Sequence, residues 1–133
     1  FVPYIVSQKE FPCRGGIFNV SAIVIPSCFK GKPITKIGKA FNDRYNIFEV
    51  NIPDSVVHIY DKAFRCCYNL ESFIVPPSVK TIGREAFYCC PELESIFIFN
   101  GVERIEKQAF WECSRLRSVV IPDSVTFIEI KYF

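Results

Sequence analysis

The chain has 133 residues, which suits a single domain, and half of them are hydrophobic, enough for a continuous core. It has no run of ~20 apolar residues, which excludes a conventional membrane-spanning helix. The net charge of +2 is small. Methionine is absent and the N-terminal residues show no basic-plus-apolar signal-peptide pattern, so we expect a fragment or a processed chain, and secretion stays open.

The first 24 residues do not follow the pattern of the rest of the chain. Residues 1–6 and 17–25 are strand-like, and Cys13-Arg14-Gly15-Gly16 between them is a turn signal. We predict that residues 1–24 form an N-terminal cap, because the end of a stacked array needs a cover.

Residues 25–133 repeat with a period of 23 residues. They form an irregular first copy over 25–50, three regular copies, and a fifth copy that stops at Phe133. The invariant apolar columns are Val56, Val79 and Val102; Ile59, Ile82 and Ile105; Ala63, Ala86 and Ala109; Phe64, Phe87 and Phe110; Leu70, Leu93 and Leu116. One coil cannot bury its apolar face alone, so a ladder of equal residues predicts a solenoid of stacked coils.

Each copy divides into three parts. The segment Leu70-x-x-Phe73-x-Val75 alternates with the period of a strand, and Pro76 ends it. Val79-x-x-Ile82 is a short return segment. Residues 84–90 carry Ala and Phe at a spacing that suits one or two helical turns. We therefore predict one parallel strand for each coil on one face and short helix or 3-10 helix on the other.

The strand pattern Leu-x-x-Phe-x-Val-Pro followed by Val-x-x-Ile-x-x-x-Ala-Phe-x-x-Cys resembles the BspA-like (Treponema-type) leucine-rich repeat, over about residues 22–133. The departures are Phe99-Asn100 where other copies have Pro, and Tyr132 where they have Ala. The resemblance implies a binding or adhesion module, usually displayed at the cell surface, without catalytic residues. We accordingly predict an α/β solenoid, a right-handed leucine-rich-repeat coil that is mostly β with short helical or 3-10 turns on its convex side.

Seven cysteines raise the question of disulfides or zinc. Cys67, Cys90 and Cys113 share one column, which we predict to be buried and reduced, because a buried cysteine thiol behaves as a small apolar group. Cys13 and Cys28 lie outside the regular copies and are the best candidates for a disulfide. The adjacent Cys-Cys pairs follow from the repeat period, so neither a metal site nor any other cofactor is expected.

Catalytic motifs are missing from the sequence. His58 is the only histidine, its column is variable, and no nucleophile–histidine or phosphate-loop pattern is present. We predict a non-enzymatic module with a protein partner and no small-molecule substrate. The alternatives are a structural spacer within a longer surface protein, and an anion or nucleic-acid binder. Residues 1–48, with a net charge of +5, favour the latter, but no aromatic stacking platform is interleaved with these lysines.

Alternation along the strands predicts the binding surface. If Phe73 and Val75 point inward, Ile74 points outward, and stacking places Ile74, Phe97 and Val120 in one exposed apolar row. We expect this row to be the centre of a protein contact, with Glu94 and Arg117 at its rim. Strand propensity explains exposed β-branched residues equally well. The alternative site is the aromatic pair Tyr88 and Trp111 on the convex side.

The last copy is expected to be open. Its apolar residues Val125, Phe127, Ile128, Ile130, Tyr132 and Phe133 have no polar capping element after them. We expect that the native chain continues, or that this end packs on another molecule, including end-to-end self-association at the C-terminal coil.

Overall fold

A computed structural model of the chain describes residues 4–6 and 21–129. Its strands are β1 (Tyr4–Val6), β2 (Ser21–Val24), β3 (Cys28–Phe29), β4 (Lys32–Ile37), β5 (Ile47–Asn51), β6 (His58–Ile59), β7 (Ser72–Val75), β8 (Thr81–Ile82), β9 (Ser95–Ile98), β10 (Arg104–Ile105) and β11 (Phe127–Ile128). They wind into a β-solenoid of about five turns that is nearly free of helix. The right-handed winding expected above stays a prediction.

The longer strands form one side of the solenoid, here called the strand face: β2, β5, β7, β9 and the segment 118–121 that follows them in the repeat. β2 pairs in parallel with β5, and β7 with β9. The Glu71 N–H donates to the Phe48 carbonyl at 3.1 Å, which joins the two pairs. Because Val24 lies in register with Asn51, β2 continues the strand face. The domain boundary after residue 24 stays a prediction.

The return segments form a second sheet. Its order is β1-β4-β6-β8-β10-β11, all parallel, and β3 pairs antiparallel with β4. Four of these strands, β6, β8, β10 and β11, are two-residue strands whose second residue is a buried or half-buried isoleucine. Ile59, Ile82 and Ile105 therefore stack directly on one another, as the repeat columns predict.

The third side of the solenoid, formed in the central coil by residues 84–90, consists of turns. The sequence predicts one or two helical turns there. Among the described residues, the one 3-10 helix is Lys39–Phe41. In the central coil the N–H groups of Glu85, Phe87 and Cys89 donate to carbonyls of the next coil at 2.8–3.0 Å. A helix would need these donors for its own carbonyls. Glu85 and Cys89 also adopt positive φ, which interrupts any right-handed helix.

The core is a continuous column of buried side chains. Phe41, Phe64, Phe87 and Phe110 stack face to face with centroids 5.3–5.6 Å apart, and the edge of Phe73 meets Phe64 and Phe87 at 4.8 and 4.7 Å. Their near-parallel rings follow from the coil period, because each coil repeats the backbone of the one before. Burial of these rings supplies a large part of the stabilising free energy.

The thiols of Cys67, Cys90 and Cys113 line the same interior, and all three are buried and form no disulfide, as predicted. They donate to the carbonyl oxygens of Phe41, Phe64 and Phe87 at 3.0, 3.2 and 3.0 Å. The hydrogen bond to the Cys113 side chain, together with burial, raises the pKa of Cys90 well above its ordinary value. Burial also raises the pKa of Cys66.

The expected disulfide between Cys13 and Cys28 is not supported. Cys28 is an exposed, unbridged thiol, while Cys13 lies outside the described residues. Backbone pairing holds β3 instead, since Cys28 lies opposite Pro33 and Phe29 opposite Lys32 in the hairpin with β4.

We predict that thiol labelling separates these cysteines into two groups. In the folded protein an iodoacetamide-type reagent should modify Cys28 within minutes, because its thiol is exposed. Cys67, Cys90 and Cys113 should react only after unfolding in guanidinium, because they are buried. Peptide mapping by mass spectrometry provides the measurement. Labelling of the three interior thiols as fast as Cys28 would contradict their burial.

Candidate binding surface

The strand face presents alternate residues to solvent. Ile74 is 57% exposed, Phe97 58% and Val120 77%, while the intervening Phe73 and Val75 are buried. Ile74 lies in register with Phe97 across β7 and β9, so their side chains are neighbours on the sheet. Val120 has the equivalent position one period later, although the segment 118–121 does not form a paired strand.

One further apolar residue extends this row, and another shares its column. Phe99 is 43% exposed, and its ring packs edge to face against Phe97 with centroids 4.8 Å apart. Val24, in register with Asn51, belongs to the same column and is also exposed, but the polar Asn51 separates it from Ile74. The sequence pattern places Val24 in the cap instead. In the sequence Phe99 differs from the other copies only in replacing a proline. This difference could have identified it as part of the exposed surface.

A recess of about 110 Å³ lies beside the row, where β5 and β7 meet. Its lining combines apolar and polar side chains: Glu49, Val50, Asn51, Ile52, Ser72, Phe73 and Ile74. Ser72 and Ser95, in the neighbouring column, are exposed. Because their side chains are small, the larger side chains of the apolar row protrude above them.

The rim contains charged residues. Glu94 is exposed, and its carboxylate lies 3.4 Å from the guanidinium of Arg115, which also contacts Glu92. Glu94, Ser114, Arg115 and Arg117 line an open cavity of about 430 Å³. Arg117 is exposed as well. The sequence reasoning identified Glu94 and Arg117 but missed Arg115, because its partner lies one coil away.

The alternative site, Tyr88 and Trp111, is half-buried. Their ring centroids are 6.5 Å apart at an angle of 52°. The guanidinium of Arg65 lies 5.3 Å from the Tyr88 centroid and 3.4 Å from the Glu85 carboxylate. Desolvation by burial raises the pKa of Tyr88, although the charge of Arg65 acts in the opposite direction. The two aromatic rings are therefore already partly covered by their own chain, unlike those of Phe97 and Phe99.

A second aromatic pair occupies the turn that leads into the strand face. Tyr45 and Tyr68 stack with centroids 5.1 Å apart and both are exposed. The Cys89 thiol lies 3.9 Å from the Tyr68 hydroxyl, and this hydrogen bond raises the pKa of Tyr68 to about 12. The pair is not among the predicted site residues, although its 23-residue separation is visible in the sequence.

The basic N-terminal region lies on the other side of the solenoid. Lys32 and Lys36 belong to β4, in the second sheet. The Lys36 ammonium lies 5.8 Å from the Tyr60 ring and that of Lys30 lies 5.4 Å from the Phe29 ring. The lysines thus contact single aromatic rings, although the sequence indicated no interleaved aromatic platform. His58 is half-buried near Tyr60.

Among residues 4–6 and 21–129, no three His, Cys, Asp or Glu side chains are grouped so that they could hold a metal ion. Within the same part of the chain no helix has the length and apolarity needed to cross a bilayer.

The last coil is incompletely covered. Leu116, Val119, Ile121, Val125 and Ile128 are only half-buried, and Phe127 is exposed. The Arg104 guanidinium lies over the Phe127 ring at 4.1 Å. Ile130, Tyr132 and Phe133 lie outside the described residues. Self-association at this end stays a prediction.

The coil repeats every 23 residues, forms parallel sheets and buries a column of Phe and Leu side chains. These features define a leucine-rich-repeat solenoid. This fold is typically used to bind protein partners rather than for catalysis. Sequence comparison agrees, because the BspA type leucine rich repeat region matches residues 16–133 in six copies. The chain belongs to this family.

Comparison with solved structures gives the same fold. A leucine-rich repeat protein from Bacteroides ovatus superposes with a TM-score of 0.75 and 33% identity, covering 86% of this chain and 31% of that one. A leucine-rich repeat protein from T. pallidum gives a TM-score of 0.50 and 23% identity, over 83% of this chain and 73% of that one. This chain thus spans about a third of the length of the Bacteroides protein. No curated protein matches the sequence significantly.

Proposed function

We propose that this chain is a non-enzymatic protein-binding module that contacts its partner through the strand face. The observation that carries the proposal is the exposed apolar row Ile74, Phe97 and Val120, extended by Phe99. Contiguous exposed apolar side chains are uncommon on a monomer surface and often mark an interface.

Strand propensity does not account for the whole row. It explains β-branched residues such as Ile74 and Val120 on an open strand. It does not explain Phe99, which lies after β9 at a position where the other regular copies have proline. Phe97 and Phe99 expose two rings in edge-to-face contact, and aromatic side chains, phenylalanine included, are enriched at the core of protein interfaces.

The rim assigned to this surface is Glu94 and Arg117. Both are exposed, and the ion pair between Glu94 and Arg115 orients the carboxylate at the edge of the row. Rim charges of this kind chiefly affect the association rate and the choice of partner. We propose adhesion as the biological setting and display at the cell surface or secretion as the location, since both are what the resemblance to the family implies.

We predict that Phe97→Ser weakens partner binding by ~30-fold or more, the loss of about 2 kcal/mol typical of a central aromatic residue. The side chain is more than half exposed and loses only its contacts with Phe99 and Ile74, so the free energy of unfolding should fall by no more than about 1 kcal/mol. Immobilised wild-type and variant proteins are incubated with extracts of candidate cells or matrix, and retained proteins are quantified by mass spectrometry. The retained partner is then titrated to obtain dissociation constants.

The matched control is Trp111→Ser, which removes an aromatic ring from the alternative site. A partner retained by Trp111→Ser but lost with Phe97→Ser supports the strand face. The reverse result would assign binding to Tyr88 and Trp111. If the two variants and wild type all retain the same proteins equally, neither aromatic surface is the binding site. If none of the three retains a protein above an empty support, the spacer function becomes the better description.

A further inference from the structure

Charge is distributed unevenly between the strand face and the rest of the solenoid. The strand-face segments are 22–26, 46–54, 69–77, 92–100 and 115–123. They carry six carboxylates and two guanidinium groups: Glu49, Asp54, Glu71, Glu92, Glu94, Asp123, Arg115 and Arg117. The other residues between 22 and 129 carry eleven Lys or Arg and seven Asp or Glu. The strand-face segments thus have a net charge of −4, whereas the other residues have a net charge of +4 that comes entirely from residues 30–44. The whole chain has a net charge of only +2.

The ion pairs do not neutralise the acidic side. Arg115 contacts Glu92 and Glu94. Among the described residues, no ion pair involves Glu49, Asp54, Glu71 or Asp123. The Glu49 carboxylate only accepts a hydrogen bond from the neutral Asn51 amide at 3.4 Å. Off the strand face, Glu85, Glu103 and Glu106 have cationic partners at 3.1–3.8 Å. The other four acids there, Asp43, Asp61, Glu112 and Glu129, form no ion pair among the described residues.

The carboxylates lie beside the apolar row. Glu71 and Glu94 occupy successive coils three residues before Ile74 and Phe97, and the Glu94 N–H donates to the Glu71 carbonyl at 2.9 Å. Glu49 lines the recess next to Ile74, together with Asn51 and Ser72. A lysine or arginine side chain suits this recess, because its alkyl stem would cover Ile74 while its charged head reaches Glu49.

We infer that the partner of the strand face presents apolar side chains flanked by lysine or arginine. The inference rests on the proposed function, since it specifies the chemistry of what the row binds. The uncompensated carboxylates attract a cationic surface during encounter and disfavour acidic partners that would offer the row the same apolar contact. The occupant is a basic, apolar protein segment, not a glycan or a second copy of the same acidic face.

The test uses two fluorescent peptides of equal length. In both, Phe and Leu alternate with Ser. The remaining positions carry Lys in one peptide and Glu in the other. Anisotropy titrations at low and moderate salt measure both dissociation constants. Wild type should bind the Lys peptide at least about tenfold more tightly than the Glu peptide, and added salt should reduce the difference. Glu49→Gln with Glu71→Gln should weaken Lys-peptide binding about fivefold.

The control removes the same charge from elsewhere, by Glu112→Gln with Glu129→Gln, and should bind the Lys peptide like wild type. Equal weakening by both double variants would overturn the inference, because net charge alone would explain the preference. Equal affinity of wild type for the two peptides would also overturn it, as would no binding of the Lys peptide up to about 1 mM.

Phe97→Ser separates this inference from the proposed function. If Phe97→Ser weakens both peptides while wild type does not prefer lysine, the strand face binds but its charge does not select. If Phe97→Ser changes neither affinity, the proposed site itself is wrong. Concentration-dependent dimerisation that is abolished by Phe97→Ser, with no peptide binding, would identify a second copy as the occupant and overturn the inference.

Discussion

Replacing Phe87 by alanine is expected to lower the free energy of unfolding by about 3–5 kcal/mol. The ring is completely buried and lies between Phe64 and Phe110, at centroid distances of 5.3 and 5.6 Å. It also receives the edge of Phe73 at 4.7 Å. Truncation would remove contacts with three rings at once and leave a cavity in the middle of the column, which the coils on either side cannot easily close.

Urea denaturation, followed by circular dichroism, measures the effect. Phe97→Ala is the matched control, since it removes the same ring from an exposed strand position and should lower stability by no more than about 1 kcal/mol. A midpoint for Phe87→Ala close to that of wild type would show that the Phe column does not contribute to the core as described.

Replacing Gly101 by alanine should cost a similar amount, about 3–5 kcal/mol, for a different reason. Gly101 has a φ of +144°, and an added Cβ would lie 2.2 Å from the Pro77 carbonyl oxygen of the preceding coil. The backbone must therefore move. Movement is opposed by the Gly101 N–H, which donates to the Ser124 hydroxyl at 2.9 Å, and by the Ser124 N–H, which donates to the Asn100 side chain at 3.1 Å.

Gly31→Ala provides the control for backbone strain alone. Gly31 also has a positive φ, +74°, but an added Cβ would meet no atom within 4 Å, so the cost should be only about 1–2 kcal/mol. Because the Gly101 loop follows Phe99, its distortion should also displace the Phe97–Phe99 pair. Equal stability of the two alanine variants would contradict the close packing of this loop against Pro77.

Sequence alone was sufficient for the core and for the orientation of the strand residues. A stacked coil must place the same type of side chain at the same depth in every copy, so Phe64, Phe87 and Phe110 could be assigned to the interior directly from their spacing. Alternation within the strand then predicted that Ile74 and Phe97 face solvent, and both are more than half exposed. Their role in binding stays a prediction, because repetition constrains burial and not the choice of partner.

Tertiary structure alone decided the backbone of the third side and the composition of the candidate surface. Nothing in the sequence at Glu85 or Cys89 indicates a positive φ, since neither is glycine or asparagine. Their N–H groups find acceptors in the next coil, at Lys107 and Trp111, and local sequence patterns do not record which coil supplies the acceptor. The pairing of Arg115 with Glu94 and of Phe97 with Phe99 likewise follows from how the coils stack and how the loop after β9 folds back. Side-chain depth is encoded by the repeat period, whereas hydrogen-bond partners and surface contacts depend on distances between coils that only folding establishes.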